Sequence, residues 1–335
     1  MSGPSLPPGR RVAAVVALVP VLVALALWAF AWPAARTAPR ELPLGVAGAP
    51  AAIAQVEQRL TQREGAFEIH RYADEAEARD AVEDRTVYGA VVAGDRGPKL
   101  LTASAASPAV AQLLRQAMTG QASAAGAPVQ VVDVVPASGA DPRGAALSAS
   151  VLPLALAGIA TGAAVTLLGL RGVRAAVALT GAAASTGLVA AAITHTLLEV
   201  VTGDWWAVAA VFGLSALAVG AGVAGLAALL GRAGLGLGGA VMMLLGNPSS
   251  GVSSAPEMLP RPAGMIGQWL PPGAGGSLLR SVSFFDGAAA TGPALTLTGW
   301  ALLGLGAVLL GGALRRRAPG GSPAADRTRT SVPAA

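Results

Sequence analysis

Trp205-Trp-Ala-Val-Ala-Ala-Val-Phe-Gly-Leu-Ser-Ala-Leu-Ala-Val-Gly-Ala-Gly-Val-Ala-Gly-Leu-Ala-Ala-Leu-Leu230 carries no ionisable side chain along its whole length. As a helix rising 1.5 Å per residue it would extend about 39 Å, more than the ~30 Å hydrocarbon core of a bilayer. A surface helix of a soluble protein needs a polar stripe, and this stretch has none. It predicts a membrane span, and the same test applied outward finds four more: 12–32, 151–170, 175–197 and 294–314. A further run, 233–246, is shorter, rising only about 21 Å as a straight helix, and is expected to span with help from the residues C-terminal to it. The first run comes after Arg10 and Arg11 and is longer than a signal-peptide core, so it predicts an uncleaved anchor.

Composition agrees with this reading. Of 335 residues, 53% are hydrophobic and only 12% charged, too apolar a balance for an ordinary soluble chain. There is no cysteine, which excludes disulfides and thiolate metal sites. The formal charge of +5 does not argue for nucleic acid, because it arises from where the arginines fall. With the N-terminus inside, Arg10, Arg11, Arg171, Arg174, Arg232, Arg315, Arg316, Arg317, Arg327 and Arg329 all lie on the cytoplasmic side. Asp326 is the one acid there, and every other acid falls outside. This is the positive-inside pattern, and the six tryptophans lie in or near the outer half, as an interfacial belt would.

The expected fold is therefore an α-helical polytopic membrane protein with about six spans and an extracytoplasmic α/β domain between the first two. Its divisions are a cytoplasmic N-tail (1–11), an anchor helix (12–32), the outer domain with its linkers (33–147), a five-span membrane domain (148–314) and a disordered basic cytoplasmic tail (315–335). Cell membrane is the expected location, with both termini in the cytoplasm.

Within the outer domain, strand-like runs occur at 42–46, 67–72, 87–93, 99–102 and 129–135. Helices are expected after Pro50, with Gly65 as C-terminal cap; after Asp74, which has capping-box spacing to Glu77; and after Ser107-Pro108, ending at Gly120. The stretches 121–127 and 137–144 read as linkers. Such a domain is large enough for its own core. It could bind substrate, a partner or envelope material, or serve as a structural cap.

Chemical motifs are scarce. Gly220-Ala-Gly222-Val-Ala-Gly225 and Gly234-Leu-Gly236-Leu-Gly238-Gly239 have dinucleotide-fingerprint spacing but lie within apolar helices, without the preceding strand. Contact between helices is their better use, together with the small-residue pairs Gly158/Gly162, Gly181/Ser185 and Gly234/Gly238. The single lysine, Lys99, comes directly after Pro98, so no P-loop exists. No serine-nucleophile elbow or triad spacing is visible, so no catalytic residue, cofactor or metal is expected. His195 and Glu199, four apart, would share a helical face as a polar transport site or else form a solvated helix end.

The segment 247–290 is too apolar for a free loop and too proline-rich for a span. It predicts a re-entrant or interfacial hairpin of helical fragments of one or two turns. Its marked residues are Asn247, Pro248, Glu257, Pro260, Pro271, Arg280 and Asp286.

With Asn247-Pro-Ser-Ser-Gly251, Leu270-Pro-Pro-Gly-Ala274, Leu279-Arg280 and Phe284-Phe-Asp-Gly-Ala288 placed before a last apolar run, the chain resembles type-2 ABC transporter permeases and the related phage-infection-protein group. The order of anchor helix, large outer domain and C-terminal spans resembles that group too, as do Val87-Tyr-Gly-Ala-Val-Val92 and the stretch from Leu100. The resemblance implies a permease subunit that exports an apolar or amphipathic substrate, with ATP hydrolysed by a separate subunit. Arg171, Arg174 and Arg232 are then the expected cytoplasmic coupling residues; without a motor, they orient the protein and meet anionic lipid. The chain departs from the group in its proline-rich N-tail and in a minimal first cytoplasmic loop at 171–174. Expected partners are the lipid bilayer, a separate ATPase subunit and a second chain in a homo- or heterodimer. The alternative is a non-transporting envelope protein whose outer domain binds a partner.

Overall fold

The computed structural model describes residues 7–94, 97–125 and 129–317. Helix α1 (Pro8–Ala35) is followed by alternating strands and helices: β1 (Leu42–Gly48), α2 (Pro50–Thr61), β2 (Phe67–Tyr72), α3 (Glu75–Glu83), β3 (Gly89–Gly94), β4 (Gly97–Thr102), α4 (Pro108–Ala125) and β5 (Gln130–Asp133). The remainder is helical: α5 (Ala145–Leu167), α6 (Gly172–Ala191) continued by a π-helical segment (Ala192–Leu197), α7 (Trp205–Leu230), and α8 (Arg232–Ala240) continued by a second π-helical segment (Val241–Gly246). A 3-10 turn (Pro256–Met258), α9 (Ala263–Gln268), α10 (Pro271–Phe284) and α11 (Thr291–Arg317) complete the order.

Among the described residues five stretches are long and apolar enough to cross a membrane: Val12–Ala35, Ala145–Leu167, Gly172–Leu197, Trp205–Leu230 and Thr291–Leu314. The expected sixth is the shorter Arg232–Gly246, which at helical rise covers only about 22 Å. Among these stretches α7 is the axis, with 78% of its span buried, against 22–33% for α5, α6 and α11 and none for α1. Small residues allow this. The Cα of Gly158 and Gly162 on α5 face Val219, Gly220 and Val223 of α7, and Gly234 and Gly238 on α8 face Leu226 and Val223. The third expected pair does not pack: Gly181 has no neighbour within 4 Å of where a Cβ would stand, and Ser185 is exposed.

These contacts fix directions. Gly158 meets Val219 and Gly162 meets Val223, so α5 runs parallel to α7; α11 does the same, Gly304 meeting Ala221 and Gly311 meeting Ala228. On α6, Gly187 lies against Ala209 while Leu179 lies against Gly220, so that helix is antiparallel, as α8 is. Arg171, Arg174, Arg232 and the chain positions Arg315 to Arg317 therefore share one end of the bundle, and the sheet is at the other.

The sheet has the order β2-β1-β3-β4-β5, parallel except for the antiparallel β3–β4 hairpin. Period-two alternation sends Ala90, Val92 and Leu101 to the α3 face and Val91 and Leu100 to the α2/α4 face. Asp74 caps α3 by accepting the Glu77 amide at 2.9 Å, and Ser107 Oγ accepts the Val110 amide at 3.2 Å at the start of α4. Several expected bounds shift. β1 runs on to Gly48, β4 starts earlier at Gly97, β3 begins only at Gly89 and β5 is shortened to Gln130–Asp133; α4 continues through Gly120 to Ala125, taking in part of the expected linker, and α2 ends at Thr61, short of Gly65.

The sheet's core is also not its own. Phe285 joins Ala78, Val82, Val87 and Ala106 on one face, and Ala255 and Met258 join Leu42, Leu44, Leu100 and Val110 on the other. Both sets of plugs come from the hairpin. Within that hairpin α10 has 14 residues, longer than the one or two turns expected, because Pro271 and Pro272 occupy its first turn, where a missing amide proton matters least. The basic tail at 318–335 and the N-terminal residues 1–6 lie outside the described residues.

Candidate functional site

The seam between sheet and bundle holds a half-open cavity of about 230 Å³, with Arg85 and Tyr88 on the sheet side and Ser250, Glu257, Gln268 and Arg280 on the hairpin side. Arg85 lies just past the end of α3 with φ +60°, a left-handed turn that swings the chain from the helix toward β3. Tyr88 is three residues on, its amide held by the Pro43 carbonyl at 3.1 Å. On the hairpin side Gly251 has φ +68°, and a Cβ on Gly267 would stand 1.7 Å from the Ser249 carbonyl oxygen. Only glycine permits the left-handed turn at 251 and the close approach of α9 to Ser249 at 267, which together bring Glu257 and Arg280 to the same space.

Arg280 is 5% exposed, and its Nη2 donates to the Val252 carbonyl. Arg85 Nη1 donates to the Ser277 carbonyl at 3.0 Å and to Ser281 Oγ, and its guanidinium lies 5.2 Å from the centre of the Phe285 ring. The Tyr88 hydroxyl donates to Glu257 Oε2 at 2.8 Å. Gln268 Nε2 donates to the Ser250 carbonyl at 2.9 Å while its Oε1 accepts from Ser277 Oγ at 2.7 Å. Every acceptor named for the two arginines is thus neutral. Ion pairs among the described residues join His70 to Glu68, Arg71 to Glu57, Arg79 and Lys99 to Glu75, and Arg261 to Glu41, but none involves Arg85 or Arg280.

Titration tracks the burial. Desolvation, then the charge of Arg85, lowers Arg280 to about 10, which leaves it a cation at neutral pH. Arg85 is lowered by burial and partly held up by Tyr88 and Glu257. Tyr88 is pushed well up by burial first and by Glu257 second. Two guanidinium groups and one carboxylate therefore meet in one cavity, with one positive charge in excess. Arrays of N–H donors and net positive charge bind oxyanions. No group of three or more His, Asp or Glu residues able to hold a metal occurs among the described residues.

A second recess, of about 380 Å³, opens beside the first and shares Pro43, Pro256, Glu257 and Gln268 with it. Its outer wall carries Met265 and Trp269, which are 63% and 74% exposed. The Trp300 indole of α11 donates to the Trp269 carbonyl at 2.9 Å, tying this wall to the bundle.

Of the residues marked in the sequence, Glu257 and Arg280 meet in the cavity. Asn247 and Pro248 build the turn before it, the Asn247 carbonyl accepting Ser250 Oγ at 2.7 Å; Pro260 and Pro271 are buried supports. Asp286 is exposed in a left-handed turn, away from the cavity lining. His195 and Glu199 do not share a helical face, because the helix ends between them: Glu199 has φ +53°, its carbonyl accepts Ser138 Oγ, and His195 Nε2 lies 3.0 Å from the Gly203 carbonyl. At the opposite end Arg171 and Arg232 border one recess of about 270 Å³ that does not include Arg174.

Arg85, Tyr88, Gln268 and Ser277 went unmarked in the sequence. Arg280 and Glu257 stand out as charges in an apolar stretch, whereas Arg85 sits in a polar turn among many arginines. The one pointer to Tyr88 is its place before an apolar strand. No family model matches the chain, and no curated protein or solved structure matches it either.

Proposed function

We propose that the chain is a multi-pass cell-membrane protein of the permease type that moves an amphipathic substrate outward, with a separate ATPase as its energy source. In this reading the sheet lies outside the cytoplasm and both termini lie inside. The observation that carries it is the seam cavity, a charged and polar space between the α/β unit and the hairpin on the helix bundle, with a recess of mixed lining beside it that carries Met265 and Trp269 as well as Arg40, Glu41, Glu68 and Arg261. The gathering of arginines at the far end of the bundle supports the orientation, since cytoplasmic ends carry the Lys/Arg excess.

A motor would have to dock on Arg171, Arg174, Arg232 and the Arg315 to Arg317 stretch. The paired change of Arg171 and Arg174 to Lys keeps the charge and the orientation signal but removes the planar fork that a carboxylate pocket recognises. It should leave abundance unchanged and weaken co-purification of the ATPase. Failure of any ATPase to co-purify with the unmodified protein from crosslinked native membranes would remove the motor. One observation favours the second reading, a non-transporting envelope protein whose sheet unit binds a partner. The connection between α7 and α8 at the arginine end is Gly231 alone, and that between α5 and α6 is four residues, Leu168 to Arg171, which offers a motor little surface.

A further inference from the structure

We infer that the seam cavity is a binding site for an amphiphile with a singly charged oxyanion headgroup, a phosphodiester or a carboxylate, held between Arg85 and Arg280 with its apolar tail along Met265 and Trp269. The inference names the substrate class of the site on which the transport reading rests.

Arg280 carries five N–H donors, and among the described residues only the Val252 carbonyl receives one of its side-chain hydrogen bonds. Arg85 spends Nη1 on neutral oxygens and leaves its other nitrogens without a protein acceptor in the same set. Neither guanidinium hydrogen-bonds a carboxylate, and Glu257 acts on Arg85 through its charge alone, so part of the desolvation penalty remains and an anion entering the cavity gains more from the pair than it would at a surface. Glu257 sets the charge of that anion. With the Tyr88 hydroxyl donating to it, its carboxylate offsets one guanidinium and leaves a site for a single negative charge.

Size and surroundings favour a headgroup with a tail over a free ion. The cavity, at about 230 Å³, is several times the ~30 Å³ share of one water and fits a small polar headgroup. It shares Glu257 and Gln268 with the larger recess, which puts the exposed Met265 and Trp269 side chains next to it, on a wall that also holds Arg40, Glu68 and the Arg261–Glu41 ion pair. Tryptophan at such a rim is the side chain that sits at the headgroup level of a bilayer.

The test uses the full-length protein in a neutral maltoside detergent, titrated calorimetrically with dihexanoyl phosphatidylglycerol, dihexanoyl phosphatidylcholine and inorganic phosphate. Phosphatidylglycerol should bind, while phosphatidylcholine, whose choline would face two arginines, and inorganic phosphate, which has no tail, should bind at least about tenfold more weakly. Arg280→Gln should weaken phosphatidylglycerol binding by roughly tenfold or more. Glu257→Gln keeps an acceptor for Tyr88 but removes the opposing charge, and it should tighten binding by several-fold, a gain that misfolding cannot produce. Absence of phosphatidylglycerol binding, equal binding of inorganic phosphate, or an affinity unchanged by Glu257→Gln would overturn the inference. Because no ATPase is present, a failed titration rejects the ligand class alone, and a failed ATPase co-purification rejects motor-driven export alone.

Discussion

Gly304 and Gly306 lie two residues apart on α11, and the same substitution at the two sites should change stability in opposite directions. At Gly304 an added Cβ would stand 2.3 Å from the Ala221 carbonyl carbon, 2.4 Å from its oxygen and 2.7 Å from the Gly222 nitrogen. All three are main-chain atoms of α7, so no side-chain rotation can relieve the overlap. At Gly306 nothing lies within 4 Å, and the residue is exposed. Gly→Ala in a helix gains about 1 kcal/mol, part of it by restricting the unfolded chain, and that gain is common to both sites. Overpacking costs about 1–3 kcal/mol, with a rigid main chain at the upper end. Gly306→Ala should therefore stabilise by up to about 1 kcal/mol and Gly304→Ala destabilise by about 2 kcal/mol. At roughly 2–4 °C per kcal/mol, the separation in Tm is about 6–12 °C. Thermal unfolding of the two purified variants in the same detergent measures it. Equal upward shifts would mean that Gly304 does not face α7, and the parallel α7–α11 contact would be wrong.

Phe285 fills the α3 face of the sheet from the hairpin, so Phe285→Ala should destabilise the protein by about 3–5 kcal/mol, and the isolated segment 40–136 should aggregate or bind apolar dye. A monomeric, dye-silent fragment with cooperative unfolding would show that the sheet completes its core alone. Alkaline titration gives a second reading of the seam. Both tyrosines, Tyr72 and Tyr88, have pKa values raised by burial first, Tyr88 the more strongly. A folded value above the unfolded one contributes stability that is full below pH 10 and is lost as pH rises toward the folded value. Tyrosinate absorbance should therefore be delayed past pH 10, with Tyr88→Phe deleting the later step and lessening the alkaline loss of stability. Both tyrosines ionising together near pH 10 in the folded protein would contradict the burial of Tyr88.

Much of the helical part is legible from hydropathy alone, because a stretch such as Trp205 to Leu230 has no polar face to offer water. The five strands are legible from alternation, and α3 from the Asp74/Glu77 spacing. What local pattern does not carry is the long-range closure. Phe285, Ala255 and Met258 are apolar residues in an apolar hairpin, and nothing near them in sequence says that they finish a sheet some 150 residues earlier. The same holds for the site. Arg280 is conspicuous as a charge among Leu and Ser, but its counterpart Arg85 is conspicuous only once the left-handed turn at the end of α3 aims it at Ser277. His195 and Glu199 fail for the opposite reason: the four-residue spacing implies a shared face only while the helix lasts, and it ends at Leu197.

The proposed placement of the sheet and the arginine-bearing helix ends on opposite sides of one bilayer is tested most directly by single-cysteine labelling, which the absence of native cysteine makes clean. Ala103 is 1% exposed and would be a poor reporter, whereas Gln116 and Ser253 on the sheet side and Ala233 at the arginine end are all exposed. In intact cells a membrane-impermeant maleimide should label Gln116→Cys and Ser253→Cys, and should label Ala233→Cys only after the membrane is opened. Labelling of Ala233→Cys in intact cells, with Gln116→Cys protected, would invert the orientation and contradict outward movement of a substrate through this protein.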